Sequence, residues 1–235
     1  MKLQQLIVAS PSPNDFCDNV IVAQSKNIAP ALLEMATKWA TVRNAVASGQ
    51  SVSTFYFNTT SGTGVIGRSF PSGFDRQGNR ALYTHFVLVT SNQLKCYYNN
   101  PVLIARSLNS NGTWMLKTSP PAASLPELEM SDFAVNPFAC LSEQEEVKRT
   151  RKAVQVHDRV GITDAPQPLS FVGEVLQTYQ FEKRAKISFA INRRVAGDTL
   201  FKINVYSQGN IRLEHELSEF QIYPLRLRSR FIRSS

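Results

Sequence analysis

The sequence is short of cysteine and histidine, has no long apolar run and contains no complete catalytic motif. Its three cysteines, Cys17, Cys96 and Cys140, are odd in number, far apart and in no C-x-x-C spacing, which argues against a disulfide framework or a zinc site. They read as reduced thiols. The three histidines, His85, His157 and His215, form no i, i+4 pair, so neither His157-Asp158 nor Glu214-His215-Glu216 has the ligand set of a metal centre, and no metal or other cofactor is expected. No segment approaches the roughly 20 apolar residues that a membrane span requires. Met1 to Ala9 carries one positive charge and an apolar stretch too short for a signal-peptide core, so it is expected to be a first strand in a cytoplasmic protein. The sequons at Asn58 and Asn111 are then chance matches. Charged residues make up 19% of the chain, below the level that disorder usually needs, and no internal repeat is visible.

What is present is core material: 43% apolar residues, including 14 Phe and 7 Tyr, in 235 residues. That length allows a single domain over 1–235, built as two intimately packed lobes. The pattern predicts an α+β fold with mixed or antiparallel sheets and several packed helices. The first lobe is 1–108, an anchored connector follows over 109–141, and the second lobe, basic and rich in strands, is 142–235.

In the first lobe, residues 3–9 and 19–25 read as a hairpin. A helix is expected from Pro30 to Ala47, with Pro30 in its first turn. Strands follow at Ser53 to Asn58, Gly64 to Phe70 and Ala81 to Thr90, the last apolar enough to be central, and a short helix at Pro101 to Leu108. The connector carries four prolines but also Trp114, Met115, Phe133 and Phe138, anchors that an open linker would lack. In the second lobe, helices are expected over Ser142 to Val156 and Pro168 to Phe181. Period-two alternation at Ile187, Phe189, Ile191, then Phe201, Ile203, Val205, then Ile211, Leu213, with a turn at Gly209-Asn210, predicts a three-stranded antiparallel unit.

The net charge of +8 is unevenly placed: residues 1–147 hold 10 Lys+Arg against 10 Asp+Glu, whereas residues 148–235 hold 16 against 8. The excess marks an anionic partner for the last third, whether nucleic acid, an acidic protein face or lipid headgroups, or else a merely soluble basic surface. The candidate anion-binding residues are Lys148, Arg149, Arg151 and Lys152 on a helix and Arg226, Arg228 and Arg230 on one face of an extended segment. Aromatic interleaving is sparse there, and arginines on an edge strand also serve as gatekeepers.

A literal G-x-G-x-x-G stands at Gly62, Gly64 and Gly67, yet Arg68-Ser69-Phe70-Pro71 cannot open a helix, so these glycines are expected to serve a hairpin or bulge. Asp75, Arg76 and His85 offer a carboxylate, a guanidinium and an imidazole, and with Cys96 or Ser72 as nucleophile could support a hydrolase or transferase. The competing reading makes Asp75 and Arg76 the start of a turn and His85 a hydrogen-bonded residue in a buried strand.

Several stretches together resemble the N-terminal domain of bacterial GTPase-associated proteins, components of systems of intracellular conflict. They are Gln5-Leu6-Ile7-Val8-Ala9-Ser10, Val22-Ala23-Gln24-Ser25, Arg68-Ser69, Asp75-Arg76-Gln77-Gly78-Asn79-Arg80 and Thr84-His85-Phe86-Val87-Leu88-Val89. They cover roughly residues 3–108, with a fainter continuation at 170–191, and leave out the middle and C-terminal regions that such proteins usually add. The resemblance implies a non-enzymatic adaptor, active in antiviral defence, that works with a GTPase or another NTPase, with Arg68, Asp75, Arg76, Arg80 and His85 as the family-like positions. A nucleic-acid-binding protein using the basic last third is the alternative.

Overall fold

A computed structural model describes residues 1–10, 19–40, 52–74, 80–114, 124–131, 136–138, 144–163, 165, 167–193, 201–207 and 221–224, the backbone alone at 71–74, 80–81 and 221–224. The expected hairpin forms from β1 (Lys2–Ser10) and β2 (Val20–Gln24), paired antiparallel with an irregularity between Ile7 and Val8. Helix α1 (Pro30–Trp39) follows, then β3 (Ser53–Asn58), β4 (Gly64–Phe74) and β5 (Arg80–Val89). The remaining elements are α2 (Ser91–Lys95), α3 (Pro101–Ser110), β6 (Leu128–Glu129), α4 (Glu145–Val156), β7 (Val160–Thr163), α5 (Pro168–Gln177), α6 (Phe181–Arg184), β8 (Phe189–Ile191), β9 (Ile203–Val205) and β10 (Gln221–Pro224).

The strands form one mixed sheet in the order β10-β7-β9-β8-β3-β4-β5-β1-β2, with β6 attached to β1. The fold is therefore α+β, and the pairing of β3 with β8 carries the sheet from the N-terminal strands into the C-terminal ones. Each face is buried. Leu6, Val8, Phe55, Phe57, Val65, Phe86 and Leu88 meet α1 on one side. Leu3, Tyr56, Ile66, Val87, Val89, Phe189 and Ile203 meet α3, α4 and α5 on the other. Such a sheet buried on both faces explains why its central strands read as nearly continuous apolar runs.

The glycine motif closes the β3–β4 hairpin. Gly62 takes φ +82 in its turn, where the Gly62 N–H donates to the Thr59 carbonyl at 3.0 Å. Gly67 faces the Phe55 ring, where any Cβ would stand 2.0 Å from Phe55 Cζ. The glycines thus serve a tight turn and a close packing contact.

Three expectations need correction. The strands β8 and β9 are parallel, not antiparallel, with Phe189 opposite Ile203 and Ile191 opposite Val205; β7 joins β9 in parallel and β10 joins β7 likewise. Alternation reveals which side a residue faces but not which way a strand runs, and β7, α5 and β8 form a crossover with β9 inserted between the strands. The third expected strand, Ile211 to Leu213, and its turn at Gly209-Asn210 lie outside the described residues. The helix begun at Pro30 ends at Trp39, with Ala40 as its C-cap; residues 41–51 lie outside the described residues. The helix expected over 168–181 breaks in two, because Thr178 Oγ1 donates back to the Val175 carbonyl at 2.7 Å and Arg184 donates to the carbonyls of Gln177 and Tyr179 at 3.3 and 3.0 Å. Those bonds satisfy the carbonyls that a helix end leaves open. Of the connector's anchors, Trp114 and Phe138 are buried, while Met115 and Phe133 lie outside the described residues. No described helix is long and apolar enough to cross a membrane.

Candidate functional site

Two groups of the predicted residues come together in space, one inside the protein and one on its surface. The inner group begins with strand register: Arg68 on β4 lies directly opposite His85 on β5, and His85 opposite Ile7 on β1. His85 is 2% exposed. Its ring nitrogen Nε2 meets Gln5 Oε1 at 2.8 Å, and Gln5 Nε2 donates to the Pro126 carbonyl at 2.8 Å. With its amide nitrogen so engaged, Gln5 presents its oxygen as acceptor, and His85 Nε2–H is the donor. Nδ1 then holds a bare lone pair, buried and without a partner among the described residues. Burial, and secondarily the Arg68 guanidinium, push the imidazole pKa down to about 4, so the ring is neutral at neutral pH.

Arg68 is half-buried and bound to other side chains. Its Nη1 donates to Asn109 Oδ1 at the end of α3, and its guanidinium carbon stands 5.6 Å from the centre of the Trp114 ring. Desolvation lowers its pKa from the ordinary arginine value. Arg68 therefore braces the sheet against α3, while His85, bonded to Gln5, matches the reading of a hydrogen-bonded residue in a buried strand. Cys96 lies exposed beyond α2, its thiol directed at the Asn92 carbonyl 3.6 Å away, and no hydrogen bond joins it to His85. Asp75 and Arg76 lie outside the described residues, as do the side chains of Ser72 and Arg80.

Gln5 was not foreseen as a partner, although a signal existed. It alternates with Leu3 and Ile7, both buried, so the period of β1 points it inward.

The outer group lies on α4 and α5. Lys148, Arg151, Lys152 and Gln155 fall on one side of α4 and, with Glu145, Gln177 and Thr178, line a groove of about 580 Å³. The opposite side of α4 anchors the helix through Val147, Thr150, Ala153 and Val154, all buried, the 3.6-residue pattern that separates a core face from a charged one. Glu145 and Glu146 sit in its first turn, the end where the helix dipole favours acids. Arg151 also lies 5.7 Å from the Tyr179 ring, whose hydroxyl donates to the Arg151 carbonyl at 3.2 Å. Lys148, Arg151 and Lys152 form no ion pair among the described residues. Val156, one turn beyond Lys152, is 77% exposed. Of the other predicted anion-binding residues, Arg149 is exposed on α4 but does not line the groove, and Arg226, Arg228 and Arg230 lie outside the described residues. The acids and His157 near this groove assemble no metal site among the described residues.

No protein-family model matches the chain, and no curated protein does.

Proposed function

We propose that this chain is a non-enzymatic protein-interaction module whose α4–α5 groove docks an acidic segment of a protein partner. The observation that carries this reading is the convergence of Lys148, Arg151 and Lys152 on one groove without ion pairs among the described residues. Cations that form no ion pair with a described acid complement carboxylates of a partner, which raises association rates and sets register. The neutral amides of Gln155 and Gln177 offer hydrogen bonds between the charges. The exposed Val156 beside them suits a protein, which carries apolar side chains, better than a phosphate backbone. Tyr179, the aromatic ring beside the groove, is engaged with Arg151, and nucleobase recognition calls for free aromatic faces. The resemblance to GTPase-associated proteins supports the same role and names the partner class, a GTPase or another NTPase of a bacterial defence system.

The test is capture of partners from the native host, followed by reconstitution of the complex from purified components. A stoichiometric protein complex should form and weaken at least about 100-fold in the triple variant K148E/R151E/K152E, because like charges facing each other across an interface cost several kcal/mol. A partner bound equally well by the triple variant overturns the reading. So does the absence of any protein partner beside tight, salt-sensitive binding of RNA or DNA.

A further inference from the structure

On the opposite side of the sheet, remote from the groove, we propose that Arg193 anchors a binding site for a phosphate group. Arg193 follows β8 at the carboxyl end of the parallel strands. Asn192, at φ +52, turns the chain there and ties β8 to β9: its Nδ2 donates to Ser207 Oγ at 2.6 Å, and its Oδ1 accepts from the Ser207 N–H at 2.9 Å. This clamp fixes the start of the Arg193 side chain, which runs into the α1 face. The guanidinium carbon stands 4.3 Å from the Phe55 ring centre, 5.9 Å from Trp39 and 6.0 Å from Phe201. Nη2 donates to the Trp39 carbonyl at 2.7 Å.

Arg193 is 2% exposed, Nε and Nη1 have no acceptor among the described residues, and no described carboxylate pairs with it. Burial pulls its pKa down to about 9. A buried cation without a counter-charge is costly. Three aromatic rings and one carbonyl return part of that cost, and an oxyanion would return the remainder through charge-assisted hydrogen bonds.

A second side chain, in the strand row that leads through Ala190 to Phe55, the ring against which Arg193 lies, is also incomplete. Asn204, 1% exposed, has an Oδ1 without a donor among the described residues, while its Nδ2 donates to the carbonyl of Phe201, one of the rings around Arg193, at 3.2 Å. The strand row through Asn204 runs from Gly161 on β7 to Ala190 on β8, two residues that take little room. The unfilled groups are thus donors on Arg193 and an acceptor on Asn204. A phosphate meets both, with oxygens that accept from the guanidinium and, while protonated, a P–OH that donates to Asn204; a carboxylate meets the first alone.

The test measures Tm of the full chain against inorganic phosphate and, separately, methyl phosphate, with chloride at matched ionic strength as control; the two arms distinguish free from esterified phosphate. A saturable rise of about 5 °C or more is expected with at least one of them, retained in K148E/R151E/K152E and lost in Arg193→Met. Should Arg193→Met not fold, the Nε–H resonance of Arg193 in the native chain is read by NMR and should shift saturably with the same ligand. The proposal is overturned if neither ligand raises Tm, if the rise survives Arg193→Met, if it vanishes in the groove variant, or if the Nε–H signal stays unmoved. Because the groove variant retains the effect, a failure here and a failure of the protein-docking reading are separate results.

Discussion

His85 makes stability fall in acid over a window fixed by its burial. In the unfolded chain the imidazole takes up its proton near pH 6.5, whereas in the folded protein it stays neutral down to about 4. Between those values the unfolded state binds more protons, so lowering the pH favours unfolding; above the window the group has no effect, and below it the loss is complete. The shift corresponds to a loss of about 3 kcal/mol by pH 4, at 1.36 kcal/mol per pKa unit. Carboxylates also titrate in this range, so the measurement is a difference: guanidinium chloride unfolding of the native chain and of His85→Gln from about pH 8 to about pH 4. The variant keeps a polar side chain that does not titrate. Its stability deficit should be constant above about pH 7 and shrink by roughly 3 kcal/mol toward pH 4. Two curves that run parallel over the whole range would refute the reasoning, as would an NMR titration placing the His85 ring midpoint near 6.5.

Gly67→Ala should destabilise by about 1–3 kcal/mol, because its Cβ would stand 2.0 Å from Phe55 Cζ and Phe55 is hemmed in by Phe57, Phe86 and Phe201. Thermal unfolding reads the loss, and Phe55→Leu in the Gly67→Ala background should recover part of it; additive losses would show that the two do not clash. Arg184→Met removes the donors to the carbonyls of Gln177, Tyr179 and Tyr98 and should cost roughly 1–2 kcal/mol. The loss should be accompanied by faster hydrogen exchange at the end of α5, and unchanged protection there would count against the capping role.

Much of the N-terminal architecture was legible because local signals and tertiary needs agree there. Proline at the first turn of α1 and α3, the glycine turn between β3 and β4 and the apolar run of β5 each name their own element. Direction was not legible in the C-terminal strands. Phe189, Ala190 and Ile191 are all buried, and a strand covered on both faces carries no mark of parallel or antiparallel pairing. Among the site residues, Lys148, Arg151 and Lys152 were visible as a charge run on a helical face, and His85 as a polar residue inside an apolar strand. Arg193 was not visible. It stands in the run Asn192-Arg193-Arg194, which reads as a solvated turn, and the rings around it come from positions 39, 55 and 201, far apart in the chain. Only the pairing of β3 with β8 brings them together.

That same pairing sets an order of events during synthesis. Phe55 on β3 finds its neighbour Ala190 on β8 across 135 chain positions, so at ordinary elongation rates β3 leaves the ribosome on the order of ten seconds before its partner strand exists. For that interval the hairpin of β3 and β4 has a free edge carrying Phe55, Tyr56 and Phe57, a template for pairing with other chains. Closing so long a loop is slow as well as late. The nascent chain therefore carries this exposed aromatic edge until β8 emerges, and a chaperone that shields the edge over that interval would raise the yield of folded protein.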